Sequence, residues 1–205
     1  MATNKKIPLT AVVAVTPSYG IGNLGGLPWG HTLPGDLAYF RKMTKGTKDP
    51  AKQNACLMGR RTWLGIPEKN RPLRGRINIV LTGDRQWAKD HLPPHVHVAS
   101  SLDDALTLIN QDPALHAIVE TAVVVGGVQL FEEVLLHPWC DTYHVTQLDK
   151  EFDADTVLTQ KTADTLAALT PVSVSEEHNE GGVTYRMKVY SPNGEVVAAA
   201  ASDVK

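Results

Sequence analysis

Short apolar runs alternate with stretches of helical periodicity along nearly the whole chain, and that alternation limits the fold more than any other feature. Candidate strands fall at 10–15, 55–58, 77–81, 96–99, 122–125 and 143–147, each bounded by turn-forming residues. Two more, 172–177 and 183–190, flank the turn-like Asn179-Glu180-Gly181-Gly182. Helical spacing marks 37–44, 102–109 and 128–135; Ser101 reads as N-cap of the second, with Asp104 three residues on. Strands alternating with helices predict an α/β fold: a mostly parallel central sheet, an antiparallel strand at its C-terminal edge, helices packed against it. The 205 residues suffice for one core of useful size. Residues 7–190 show no repeat and no linker. Residues 1–6 read as an extension, and 191–205, opening on Ser191-Pro192-Asn193-Gly194, as a tail or linker stub.

The bulk numbers exclude several classes of function. A net charge of −2 gives no reason to expect nucleic acid or an anionic membrane as partner. Cys56 and Cys140 are the only cysteines, so there is no disulfide framework and no paired-cysteine metal spacing; no metal is expected. A reducing compartment fits, the cytoplasm first, with a mitochondrial address left open. Lys5 and Lys6 ahead of the apolar run 7–15 superficially resemble a secretion signal, but Pro8 interrupts the run and it reads better as a buried first strand. No stretch approaches the roughly 20 apolar residues of a membrane span.

Chemistry concentrates in a few places. Leu27-Pro28-Trp29 is followed by Leu33-Pro34-Gly35-Asp36-Leu37-Ala38-Tyr39-Phe40. Pro34 suits the first helical position, which puts Asp36 in the first turn. Helical spacing places Asp36, Leu37, Phe40 and Met43 on one face and turns Arg41 and Lys42 away. A carboxylate on that apolar face either caps the helix or lines a dry cleft where it holds a proton near neutrality. Upstream, Gly20-Ile21-Gly22-Asn23-Leu24-Gly25 formally fits a dinucleotide fingerprint. Gly26-Leu27-Pro28-Trp29-Gly30 follows, however, and cannot open the helix that fingerprint needs. What remains is a glycine-rich loop, either a mobile cover or a plain surface connection. Gly59-Arg60-Arg61-Thr62-Trp63, after a strand, offers backbone N–H groups and guanidinium forks to an anion, or is a solvated basic turn. Lys69, Arg71, Arg74 and Arg76 extend that basic segment. Val125-Gly126-Gly127 opens a second such helix start, where paired glycines permit close backbone approach.

In this order and spacing the blocks resemble dihydrofolate reductase over roughly 7–190, and the run from Ile66 to Asn78 is similar to the animal-type enzymes. The resemblance implies a three-layer fold with helices on both sheet faces. It implies reduction of 7,8-dihydrofolate to tetrahydrofolate by hydride from NADPH, in support of one-carbon metabolism, with antifolates such as methotrexate as inhibitors. Asp36 would hold the pterin and promote its protonation, Trp29 would position an ordered water, and Thr146 would bond the carboxylate. The pterin and benzoyl rings would meet Val12, Val13, Leu27, Leu37, Phe40, Arg41, Ile66, Asn70, Leu73 and Val125, while Arg76 would grip the α-carboxylate. NADPH would meet Ala14 and the loop Gly20, Ile21, Gly22, Asn23, Leu24, Gly25 and Gly26. Its phosphates and rings would further meet Gly59, Arg60, Arg61 and Thr62, the strand end Leu81, Thr82 and Gly83, and the segment Gly126, Gly127, Val128, Gln129, Leu130 and Phe131.

Phe131 stands where a tyrosine is common, Gly83 and Ser100 where animal-type enzymes often carry arginine, and Asp36 where vertebrate enzymes use glutamate. The rivals are a pterin or pyrimidine reductase of the same fold, a non-catalytic binding protein on the same scaffold, and a nucleic-acid binder. Arg76 favours a substrate with a glutamate tail. A monomer is expected unless the chain is fused to, or associated with, thymidylate synthase.

Overall fold

The computed structural model describes residues 6–193; Lys5 and the tail from Gly194 onward lie outside the described residues. In chain order the elements are β1 (Leu9–Val15), β2 (Gly20–Gly22), α1 (Pro34–Lys45), β3 (Gln53–Gly59), α2 (Arg60–Gly65), a 3-10 turn (Glu68–Asn70), β4 (Ile77–Leu81) and α3 (Arg85–His91). They continue with β5 (His97–Ala99), α4 (Leu102–Gln111), α5 (Pro113–Ile118), β6 (Val119–Gly126), α6 (Val128–Leu135) and β7 (Cys140–Leu148). The last are β8 (Thr156–Val157), α7 (Gln160–Ala168), β9 (Ser173–Val174), β10 (His178–Glu180) and β11 (Val183–Tyr190).

The main sheet runs β10-β11-β7-β1-β6-β3-β4-β5, with β9 added on β11; β2 and β8 form a separate ribbon. Every pairing from β7 across to β5 is parallel. The edge formed by β11, β10 and β9 is antiparallel. The parallel strands are continuous apolar runs because both their faces are covered. In β3, Ala55 and Leu57 join a cluster built from α4, α5, α6 and α7. Cys56 and Met58 join the opposite cluster, with Trp63 of α2, Phe40 of α1 and Trp87 of α3. Alternate side chains of one strand thus feed two helical layers, and each fully buried Leu or Ile contributes roughly 1.5–3 kcal/mol.

The three helices expected from spacing are present, longer at one or both ends in two cases. Ser101 accepts from the Asp104 N–H at 3.1 Å, while the Asp104 carboxylate reaches back to Ser100 rather than to the cap itself. Three helices, α3, α5 and α7, escaped the periodicity. α3 and α5 are too short for a full apolar stripe, and α7 buries Thr162 and Ala163 beside Leu166, so its stripe is faint; yet each begins on a side-chain cap, Asp84, Asp112 or Thr159. The expected strand 172–177 is a correction: the strand is only Ser173–Val174, with the Val172 and Ser175 N–H groups still donating to β11 carbonyls and the chain leaving the sheet after Ser175. The face assigned to α1 also needs correcting. Arg41 and Lys42 are exposed as expected, but Tyr39 is buried with Asp36 and Thr44, while Leu37, Phe40 and Met43 are only partly covered.

Candidate active site

Parallel strands gather their C-terminal ends at one edge of the sheet, the usual place for ligands in open α/β folds. There β1 pairs with β7 so that Ala14 faces Thr146 in register. Across them lies α1, and Asp36 in its first turn is 7% exposed. The Thr146 hydroxyl donates to its carboxylate. Desolvation by burial nevertheless dominates, and with help from the nearby Glu180 it pushes Asp36 from 3.8 up to about 6. Trp29 is buried beside the carboxylate's helix and meets Phe152 edge-on, with ring centroids 6.1 Å apart.

An apolar wall runs from this carboxylate along α1. Phe40, Ile66, Leu73 and Val125 share one cluster with Met58 and Trp63. Val12 and Val13 are buried in β1, and Leu37 is half-buried. At the far end, Arg76 donates to the Thr44 hydroxyl at 2.7 Å. Asp36 and Thr44 are eight positions apart, so at 1.5 Å per residue the carboxylate and the guanidinium's anchor stand about 12 Å apart along the helix. A groove with an acid at one end, a cation at the other and aromatic and aliphatic sides between suits a flat polar ring carrying an anionic tail. Arg41 is exposed and near enough to Arg76 to be felt by it, while Asn70 and Leu27 are also exposed.

Several residues expected to meet a dinucleotide gather where β3 and β6 end. β3 ends at Gly59 and β6 at Gly126, and a Cβ on Gly59 would lie 4.0 Å from the Gly126 carbonyl. A Cβ on Gly126 would run into the Thr62 side chain, and Gly127 has φ +115°, so the pair is glycine for steric reasons. Nothing stands within 4 Å of a Cβ on Gly83, after buried Leu81 and Thr82. Arg60 and Arg61 start α2: Arg61 is exposed, and Arg60 pairs with Asp84 at 3.1 Å over the Trp87 ring. This cradle of small residues beside two guanidinium groups fits a dinucleotide phosphate. Val128 is half-buried and Gln129 exposed, but Leu130 and Phe131 turn into the core, Phe131 edge-on to Tyr143. This segment therefore offers mainly backbone to a ligand.

The glycine-rich loop opens no helix. Gly20, Ile21 and Gly22 form β2, Asn23 and Gly26 bridge, and Asp155 holds the Leu24 N–H at 2.8 Å. Leu24 itself is 91% exposed. The Gly25 carbonyl rests directly against Gly65, at the end of α2, so the loop lies across to the opposite wall.

Several residues escaped the sequence. Arg71, read as part of a basic cluster, instead donates to the Trp63, Leu64 and Ile66 carbonyls at 3.1–3.2 Å and closes the end of α2. Phe152 backs Trp29. Glu180 and Tyr185, on the C-terminal hairpin, reach the first turn of α1. No local motif announces any of these contacts.

Against known proteins, the family profile described as dihydrofolate reductase matches residues 8–191. The chain belongs to the dihydrofolate reductase family. It is an NADPH-dependent oxidoreductase that reduces dihydrofolate to tetrahydrofolate. The Rattus norvegicus dihydrofolate reductase is 40% identical over 186 residues, spanning 89% of this chain and 96% of the rat protein. A bifunctional dihydrofolate reductase-thymidylate synthase of Arabidopsis thaliana is 40% identical over 167 residues, 82% of this chain and 28% of that protein. The solved Schistosoma mansoni dihydrofolate reductase matches with a TM-score of 0.75 and 32% identity, covering 91% of this chain and 99% of that one. Among the described residues no helix is long and apolar enough to cross a membrane.

Proposed function

We propose that Asp36 is the group that supports protonation of the pterin of 7,8-dihydrofolate, and that residues 7–190 form the reductase domain. The carrying observation is a carboxylate sunk in an apolar groove, bonded by Thr146 and held near neutrality by burial. Such a group takes up a proton at physiological pH and passes it on, directly or through a water positioned by Trp29, to the pterin nitrogen beside the carbon being reduced. NADPH, when bound, supplies the hydride to that carbon. The protein supplies position and electrostatics. Gly59, Gly126 and Gly127 let backbone approach the diphosphate, and Arg60 and Arg61 favour the extra phosphate of NADPH over NADH. The loop from Gly20 to Gly26 covers the nicotinamide side, and Ala14 offers backbone beside Thr146.

Phe40, Ile66 and Leu73 flank the rings, and Arg76 takes the glutamate α-carboxylate. Arg76→Leu should weaken dihydrofolate and methotrexate, which carry that carboxylate, by about tenfold to a hundredfold through loss of a charged pair, and leave small antifolates without it nearly unaffected. Equal losses in both classes, read by titration of ligand fluorescence quenching, would remove Arg76 from the role. The reading as a whole is tested by loss of NADPH absorbance on adding dihydrofolate. Rapid loss that methotrexate abolishes and NADH cannot match supports it; tight NADPH binding without turnover would point to another substrate. The cytoplasm, or a mitochondrial compartment, remains the proposed location, and a monomer the proposed state unless the chain is fused to or associated with thymidylate synthase.

A further inference from the structure

The first turn of α1 has no cap of its own. Leu33 at the N-cap position contributes no side-chain hydrogen bond, so the N–H groups behind it need outside acceptors. The acceptor arrives from the far end of the chain. Glu180, the last residue of β10, receives the Gly35 N–H on both carboxylate oxygens, at 2.9 and 3.1 Å. Tyr185 of β11 donates its hydroxyl to the same carboxylate at 2.8 Å. Buried Tyr185 is in turn stacked on His178, with ring centroids 5.2 Å apart. A Cβ on Gly35 would stand 2.5 Å from the Tyr185 oxygen and 2.8 Å from Glu180 Oε1, so residue 35 must lack a side chain for the carboxylate to seat.

We propose that Glu180 is a positioning residue for Asp36, clamping the first turn of α1 from the C-terminal hairpin and setting a second negative charge beside the reactive carboxylate. This rests on the reading of Asp36 as the proton source. A cap alone needs only an acceptor, which a neutral amide supplies equally well. The charge is additional, and it acts on Asp36, whose carboxyl it pushes upward together with burial. Two carboxylates at one helix start resist being ionised together, and the solvated helix dipole compensates only part of that. Because the Tyr185 hydroxyl is driven well above its ordinary range by burial and by Glu180, it stays a donor throughout the working range.

The groups facing Asp36 are few. Thr146 comes from β7, Glu180 and Tyr185 from the hairpin, and Tyr39 with its partner His144 lies one turn along α1. His178 reaches the cluster only through its stack on Tyr185.

The test is kcat/KM for dihydrofolate against pH, at saturating NADPH, in wild type, Glu180→Gln, Glu180→Ala and His178→Phe. Glu180→Gln keeps the acceptor and the shape. Its descending limb should move to lower pH by about half a unit, a roughly threefold loss above the limb, with the low-pH plateau held. Glu180→Ala should show the same displacement together with a lower melting temperature, and His178→Phe should leave the limb in place. An unmoved limb in Glu180→Gln, or a displaced one in His178→Phe, would overturn the proposal and leave Glu180 a helix cap only. If wild type shows no such limb, the reading of Asp36 has failed, and that outcome is separable from failure of Glu180.

Discussion

Asp36→Asn should cost about 10²–10⁴-fold in kcat/KM at neutral pH, the usual contribution of a placed acid, and at the same time make the folded protein more stable. The two effects share one cause. Burial holds the carboxyl at about 6 instead of 3.8, so between those values the unfolded chain gives up its proton while the native one keeps it. Below 3.8 the native state carries no penalty from this group; above about 6 the penalty is complete, about 3 kcal/mol at about 1.4 kcal/mol per tenfold. Asparagine still accepts from Thr146 and cannot ionise. Urea unfolding should therefore show the variant and wild type alike near pH 3.5 and the variant more stable at pH 7.5, by up to that amount. The activity of wild type should fall about tenfold per pH unit above the Asp36 midpoint, whereas residual turnover of the variant should recover partly with substrates already protonated. A variant no more stable than wild type at pH 7.5 would mean that burial does not raise this group.

The second large effect has the opposite sign. His144, on β7 beneath α1, is 6% exposed, and burial lowers it from 6.5 to about 4. Its Nδ1 lies 2.7 Å from the Tyr39 hydroxyl and its Nε2 3.1 Å from the Thr142 hydroxyl. Thr142 continues to Thr10, so both ring nitrogens of a neutral His144 have hydroxyl partners. Above pH 6.5 both states are neutral and nothing is lost. As pH falls toward 4 the unfolded chain gains a proton that the native ring refuses, and stability drops by up to about 3 kcal/mol. Asp36 and His144 thus pull against each other over nearly the same window, and the wild type should vary little there on their account. His144→Gln should uncover the Asp36 slope, becoming more stable on acidification from pH 6.5 to 4. Asp36→Asn should uncover the His144 slope and become less stable. Parallel pH curves for the two variants would refute the compensation.

The groove end at Asp36 was legible in the sequence because its residues are adjacent on one helix and its strands are apolar throughout. Ala14 opposite Thr146 follows from strand register, which apolar patterning only suggested. The glycines at 126 and 127 were legible because sterics leave no other residue there, whereas Gly59 has ordinary backbone and room for a side chain. What stayed hidden depends on distant segments. Glu180 looked like a turn residue, and its role exists only because β11 lies beside β7. Arg71 looked like one more cation until its three carbonyl partners were in view. Tyr39 broke the expected helix face because His144, remote in sequence, gives its hydroxyl somewhere to go. α3 and α5 are too short to show a stripe and α7 carries Thr162 and Ala163 on its buried face, though Asp84, Asp112 and Thr159 mark their starts.

The hairpin that closes the first turn of α1 follows every other described element in chain order. By the time β7 leaves the ribosome, β1, β3, β4 and β6 have all preceded it, and with them the glycine ends at Gly59 and Gly126. The helix bearing Asp36 must still wait for Glu180 and Tyr185. In chain order, therefore, the small-residue strand ends come complete well before the clamp on the acid-bearing turn, and a chain cut short of β10 and β11 would leave the Gly35 N–H without its Glu180 acceptor.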